Sequence, residues 1–169
     1  MTLVESTIDF TYDDLGRVTE VRGVSNGVFE YEYSSLGQLT RVSESGEVIF
    51  EYEYDGDNRL ILTRDGDGFE STFEYNELGL LISATDGNGN TTQYQYDGSG
   101  RRTAVIRPDG SSLEDQFDAG GQLVESTNPD GTVLSFDFND FGQITGRTDG
   151  EGTEAVSYTH LTLPTIYSV

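Results

Sequence analysis

Tyr94-Gln95-Tyr96-Asp97-Gly98-Ser99-Gly100-Arg101 is the clearest of seven copies of one short unit, and the spacing of those copies decides the fold. The unit reads aromatic-x-aromatic, then Asp, Asn or Ser, two variable residues and Gly. Arg or Gln follows in six copies, and most copies place an aliphatic residue after that. Its second aromatic falls at Tyr12, Tyr33, Tyr54, Tyr75, Tyr96, Phe117 and Phe138, and its glycine at Gly16, Gly37, Gly79, Gly100, Gly121 and Gly142, every step in phase being 21 residues. The remaining glycine slot holds Asn58, the ordinary residue that best tolerates positive φ.

Within each copy the residues before the Asp slot alternate: Phe29, Tyr31 and Tyr33 are interleaved with Glu30 and Glu32, and Phe50, Tyr52 and Tyr54 with Glu51 and Glu53. Period two with β-formers on one side predicts a half-buried strand. The sixth copy breaks the scheme with Asp115 where an aromatic belongs. Asp13-Asp14-Leu15-Gly16 has turn formers at its first and fourth positions, which predicts a type I turn closed by a left-handed residue, hence a hairpin. A returning strand then runs Val18 to Arg22, Leu39 to Ser43 and Leu60 to Arg64, with weaker alternation because a bulge shifts its facing. A second turn closes each unit at Asp65 to Gly68, Asp86 to Gly89, Arg107 to Gly110, Asn128 to Gly131 and Asp149 to Gly152.

The prediction is therefore an all-β array of about seven antiparallel hairpin repeats. About fourteen strands at roughly 4.8 Å make a ribbon that curls instead of lying flat. Arg22, Arg41, Arg64 and Arg107 are expected to sit between acidic rows as cross-strand partners, and burial of the aromatic face is expected to be the larger stabilising contribution.

Composition narrows function. The net charge of −22 comes from 31 acidic residues against nine cationic ones, all arginine. Such a surface offers no counter-charge to nucleic acid or anionic membranes, so neither is expected as a partner. The absence of cysteine removes thiolate chemistry and the common structural zinc sites. No run approaches the ~18 apolar residues of a membrane span, and Met1 to Thr7 lack the pattern of a signal peptide. Residues 1–6 read as a lead-in continuing an upstream repeat, 7–155 as the array, and the whole as a piece of a longer one.

At the Tyr-x-Tyr-Asp-x-x-Gly-Arg octapeptide the chain resembles the YD-repeat, or RHS-repeat, family, over about residues 7–155. The resemblance implies hairpins spiralling into a hollow shell, seen in bacterial toxin complexes, polymorphic toxins and animal teneurins, all exported or at the cell surface. It makes Tyr12, Tyr33, Tyr54, Tyr75, Tyr96, Asp97, Arg101, Phe117, Phe138 and the glycine-slot residues structural elements of the repeat. It implies as partners further repeats of the same parent chain and an enclosed toxin domain.

After Ala155 the phase fails. Residues 156–169 contain no acidic residue, and Ser157 and Thr159 occupy slots due to carry aromatics. This stretch resembles the translation of a transposase-type sequencing adapter and is set aside from fold reasoning. His160, the sole histidine, lies within it.

No catalytic constellation emerges. There is no Gly-x-Ser-x-Gly elbow and no P-loop lysine, and the Gly-x-Gly pairs at Gly66, Gly87, Gly98 and Gly150 fall at turns, away from any strand-to-helix junction. No cofactor is expected. Asp65, Asp67, Asp86, Asn88, Asn90, Asp149 and Glu151 offer oxygen ligands for calcium at successive second turns, but solvated turn residues are the preferred reading of them. Tyrosine rows offer flat surface to sugars, or simply pack. The expected function is a non-enzymatic wall segment of a shell that encloses or displays a toxin or other C-terminal domain. The alternative is an extracellular recognition or adhesion module for glycans or proteins.

Overall fold

The computed structural model describes residues 8–23 and 27–149. The adapter-like tail, His160 and all but the first residue of the Asp149 to Gly152 turn lie outside them. Among the described residues every regular element is a strand. In chain order these are β1 (Asp9–Tyr12), β2 (Val18–Arg22), β3 (Val28–Tyr33), β4 (Leu39–Glu44), β5 (Glu47–Tyr54), β6 (Leu60–Asp65), β7 (Glu70–Tyr75), β8 (Leu81–Thr85), β9 (Thr91–Tyr96), β10 (Arg102–Ile106), β11 (Ser112–Phe117), β12 (Leu123–Thr127), β13 (Val133–Phe138) and β14 (Ile144–Thr148).

Two compact units divide at Thr92 and Gln93, so β9 straddles the boundary. In the first unit β1 to β8 pair antiparallel in the order they are written. In the second, β9 to β14 do the same. The aromatic strands and returning strands thus alternate within each unit, as the sequence period predicts.

All seven first turns have one geometry. The fourth residue donates its N–H to the carbonyl of the first, as Gly16 to Asp13 at 3.0 Å, Gly100 to Asp97 at 3.0 Å and Asn58 to Asp55 at 3.1 Å. A second bond closes the loop from the first residue's N–H to the fifth's carbonyl, as Asp13 to Arg17 at 2.9 Å. The fourth residue is left-handed even where it is not glycine: Asn58 has φ 66°.

The returning strand carries the feature that obscures its facing. Thr11 pairs with Glu20 but Tyr12 pairs with Val18, which leaves Thr19 as an extra residue. The same shift leaves Thr40, Ile61, Ile82, Thr103, Val124 and Thr145 unopposed in the other copies. Every one of these bulge residues is β-branched. One extra residue puts both Val18 and Val21 on the face of Phe10 and Tyr12, so an apolar spacing of three replaces the strict period of two.

Between β4 and β5 the second turn, which the sequence pattern does not locate, is a two-residue loop, Ser45-Gly46, with both φ values positive at 52° and 90°. Those angles match the tight hairpin turn whose twist suits its flanking strands, and β5 is accordingly longer than the other strands. Exposure varies along the aromatic face: on β1 Phe10 and Tyr12 are 52% and 56% exposed, whereas Tyr33, Tyr54 and Tyr75 are half-buried, and among the described residues the buried apolar side chains are Val42 and Ala104. A single layer covers each ring only with its neighbours along and across the sheet, and β1 has a described neighbour on one side only.

Candidate functional site

The side chains that recur in every copy converge on the seam between one copy and the next. Asp13 folds back on its own turn: its Oδ1 accepts the N–H groups of Leu15 and Arg17, each at 2.9 Å, and its Oδ2 accepts Arg17 Nε at 2.6 Å. Asp55 with Arg59, and Asp97 with Arg101, repeat the arrangement. The backbone N–H of the residue four places on, supported by its guanidinium, holds all three carboxyls below the usual carboxylate range. Ser34 and Asn76 fill the same role with a neutral oxygen.

Fixed by its own turn, the arginine reaches the following copy. The Arg17 guanidinium lies 4.7 Å from the centre of the Tyr33 ring, and its Nη1 donates to Ser34 O at 3.4 Å. Arg59 does the same at Tyr75 and Asn76, at 5.1 and 3.4 Å. Arg101 sits 4.7 Å from the Phe117 ring. The tyrosines answer in the opposite direction: the hydroxyls of Tyr33, Tyr54 and Tyr75 donate to Val18 O, Leu39 O and Leu60 O at 2.8, 3.0 and 2.9 Å. Partial burial raises the Tyr54 phenol above its ordinary value.

The glycine slot completes this seam. A Cβ on Gly37 would stand 3.5 Å from Arg17 Nη1, and one on Gly121 only 2.9 Å from Arg101 Nη1. Left-handed φ is what calls for glycine there; the contact with the crossing side chain is ordinary at Gly37 and tight only at Gly121 and Gly142. Where Asn58 takes the slot, the preceding copy carries Gln38 in the arginine position, and Gln38 Nε2 donates to Asn58 Oδ1 at 3.2 Å. The remaining repeat residues lie at matching points: Tyr12 ends β1 and stacks on Phe10 at 6.5 Å, Tyr96 ends β9 opposite Arg102, and Phe138 ends β13 opposite Ile144. Gly142 has φ 75°, and a Cβ there would meet Gln122 Nε2 at 3.0 Å.

On the opposite face charges line up across five strands. Glu32 faces Arg41, Arg41 faces Glu51, Glu51 faces Arg64, and Arg64 faces Glu70. The ion pairs follow this register, with Arg41–Glu32 at 3.6 Å, Arg41–Glu51 at 2.8 Å and Arg64–Glu51 at 3.1 Å, and Arg64 Nε donates to Glu70 at 2.9 Å. Arg41, then Arg64, lowers the Glu51 carboxyl. Two of the expected cross-strand arginines do not join: Arg22 pairs with Glu20 of its own strand at 2.9 Å, and Arg107 opens a second turn through a bond from its N–H to Ser111 O. At Arg22 the side chain two residues away on the same strand is the nearer acceptor.

Two of the turn carboxylates considered for calcium, Asp86 and Asp65, are engaged by their own loops. Asp86 Oδ1 accepts the N–H groups of Asn88 and Asn90, and its Oδ2 accepts Asn90 Nδ2 at 3.0 Å. Asp65 Oδ1 accepts Asp67 and Phe69 N–H. Among the described residues no group of three or more acidic or histidine side chains is placed to hold a metal ion.

These contacts define a class of protein: an antiparallel hairpin array in which each copy is keyed to the next by the same few groups. A Teneurin YD-shell family model matches residues 2–73, and an RHS Repeat model matches residues 75–112 and 117–154. The chain belongs to the YD/RHS-repeat family. No curated protein matches it in sequence. Among solved structures, a TcdB2-TccC3-Cdc42 crystal structure aligns with TM-score 0.70 at 14% identity, covering 88% of this chain and 9% of that one. A Photorhabdus luminescens Tc holotoxin pore and a TcdB2-TccC3 structure without its hypervariable C-terminal region each align with TM-score 0.68 at 15% identity, over 85% of this chain and 9% of theirs. These likenesses are of fold, and the chain spans about a tenth of each of those proteins' length.

Proposed function

We propose that this chain is a non-catalytic wall segment of a YD/RHS shell in a longer, exported or surface-displayed parent protein. In that reading the shell encloses or presents a C-terminal domain such as a toxin, and the partners of this segment are the repeats on either side and the enclosed domain. The observation that carries the reading is the spending of recurrent side chains on the seam. Arg17, Arg59 and Arg101 are bound at both ends, to their own turn and to the next copy. A catalytic group needs a unique environment, whereas these environments recur in every second copy, from Arg17 to Arg59 to Arg101.

Limited proteolysis of the full-length parent tests enclosure. The C-terminal domain is expected to resist cleavage in the intact protein and to be cut when Arg17, Arg59 and Arg101 are all replaced by alanine. Cleavage in the intact protein as fast as in the isolated domain would count against it.

A further inference from the structure

Copies of a repeat place equivalent residues at equivalent points, so a site unique to one copy shows as a departure from the pattern. On the charged face, the position next after each bulge residue holds Glu20, Arg41, Leu62, Ser83 and Glu125 in five copies, Gly146 in the last, and Ala104 in the copy formed by β9 and β10. Register sets Ala104 opposite Gln95 on β9 and opposite Glu114 on β11, and sets Ile106 opposite Ser112. Gln116 lies two residues beyond Glu114 and so shares this face. The short side chain leaves an open hollow of about 770 Å³, whose lining these six residues share with Thr103, Gly110, Asp115, Phe117 and the Asp97–Arg101 pair. Ala104 is only 6% exposed, at the floor.

The lining has a definite chemistry. Ala104 and Ile106 supply a small apolar floor, and around it stand the two amides of Gln95 and Gln116, the hydroxyls of Thr103 and Ser112, and the carboxylates of Glu114 and Asp115. Two of the polar groups are held in place: Ser112 Oγ donates to Glu114 Oε1 at 2.9 Å, and Gln116 Nε2 donates to Glu125 Oε1 at 2.6 Å. Arg101 and Asp97, already paired at 2.6 Å, close one end. Amides both donate and accept, carboxylates accept, and hydroxyls do either. A ligand matched to that mixture carries many groups that both donate and accept, set around an apolar ring face. The volume lies within the range of roughly 300–1,000 Å³ typical of small-molecule sites. The chain's charge of −22 disfavours an anion, and the paired guanidinium at one end disfavours a simple cation.

We propose that the hollow over β9 to β11 binds a neutral pyranose unit of an oligosaccharide. This is a recognition function centred on the charged face and independent of the shell reading. The site belongs to one copy because the only other small residue at this position, Gly146, has its space taken by Asp137, whose Oδ2 lies 2.7 Å from where a Cβ would stand.

The test is NMR titration of the isotope-labelled chain with maltotriose, cellotriose, chitotriose and 3′-sialyllactose. At least one neutral trisaccharide is expected to shift amides of β9 to β11 and to do so at least tenfold more tightly than sialyllactose. Ala104→Glu installs the residue that two other copies carry naturally, fills the hollow, and is expected to weaken binding at least tenfold while the melting temperature holds. Gln95→Leu removes an amide at nearly constant volume and is expected to weaken binding even if the first variant folds poorly. Absence of shifts with all three neutral sugars, unchanged binding in both variants, equal binding of sialyllactose, or shifts confined to the aromatic face would each overturn the proposal.

Discussion

Replacing Tyr33, Tyr54 and Tyr75 by phenylalanine isolates one strand of the seam. Each substitution keeps the ring and deletes a single hydroxyl that donates to a carbonyl of the previous copy at 2.8, 3.0 or 2.9 Å. A hydrogen bond of this kind contributes about 0.5–1.5 kcal/mol net, and the carbonyl left behind is partly covered, which favours a value near the middle. The three sites share no partner, so their effects are expected to add. The triple variant is therefore predicted to lose about 3 kcal/mol, read as a fall in urea midpoint at constant slope by far-ultraviolet circular dichroism. The array supplies its own control, since Phe117 and Phe138 already stand in two of these positions. Phe117→Tyr adds a hydroxyl facing the equivalent carbonyl, Arg102 O, and is predicted to gain about 1 kcal/mol. A triple variant within about 0.5 kcal/mol of the parent, the usual range for inconsequential surface changes, would refute the claim that these hydroxyls tie copies together.

Gly79→Ala meets nothing closer than 3.8 Å but places a side chain at φ 77°, so it is predicted to cost about 1–2 kcal/mol from backbone strain alone, measured by the same denaturation. Asn58→Ala combines that strain with loss of the Gln38 contact and is predicted to exceed it, whereas Gln38→Ala alone changes stability less than either. Acid should destabilise in a defined window: the carboxyls of Asp13, Asp55, Asp97, Asp86, Asp130 and Glu51 all lie below their ordinary values. Their contribution is complete above the unfolded carboxylate values of about 4 and is lost as pH falls through the lower folded ones, which melting curves between about pH 5 and pH 2 will show. Added salt between about 0.02 and 0.5 M is predicted to raise the melting temperature, because screening relieves more repulsion among surplus carboxylates than it weakens the Glu32–Arg41–Glu51–Arg64–Glu70 line.

Much of this architecture is legible in the chain because the determinants are local. A 21-residue beat of aromatic pairs, Asp and Gly specifies strand, turn and left-handed closure within eight residues, and the pairs of strands follow from the two turns per copy. The bulge was legible as weakened alternation in the returning strand, but its position, at Thr19, Thr40, Ile61, Ile82, Thr103, Val124 and Thr145, was not, because a period-two reading cannot place a residue that breaks period two. The seam was harder. Arg17 to Tyr33, or Gln38 to Asn58, joins residues 16 or 20 apart, and nothing in the local pattern says which neighbour a long side chain will reach. The exchange of Arg for Gln opposite the single asparagine slot was the available signal. The partner of Arg22 turns on a choice between Glu20 and acidic residues across the strand, which spacing does not decide. Openness of the aromatic face depends on what lies over it, and alternation reports only which side a residue takes. Leu15, Leu36, Leu78 and Phe141, at the third position of four first turns, are 73–88% exposed, a row of apolar tips hidden in slots where turn chemistry accepts almost any residue.

The central claim is a register, and inter-strand nuclear Overhauser contacts measure it directly. The account predicts Glu32 against Arg41 and Tyr33 against Leu39, with Thr40 unopposed, and the same triplet recurring 21 residues later at Glu53–Leu62, Tyr54–Leu60 and Ile61. Tyr33 found against Thr40, or sequential helical contacts across Phe29 to Tyr33, would contradict it.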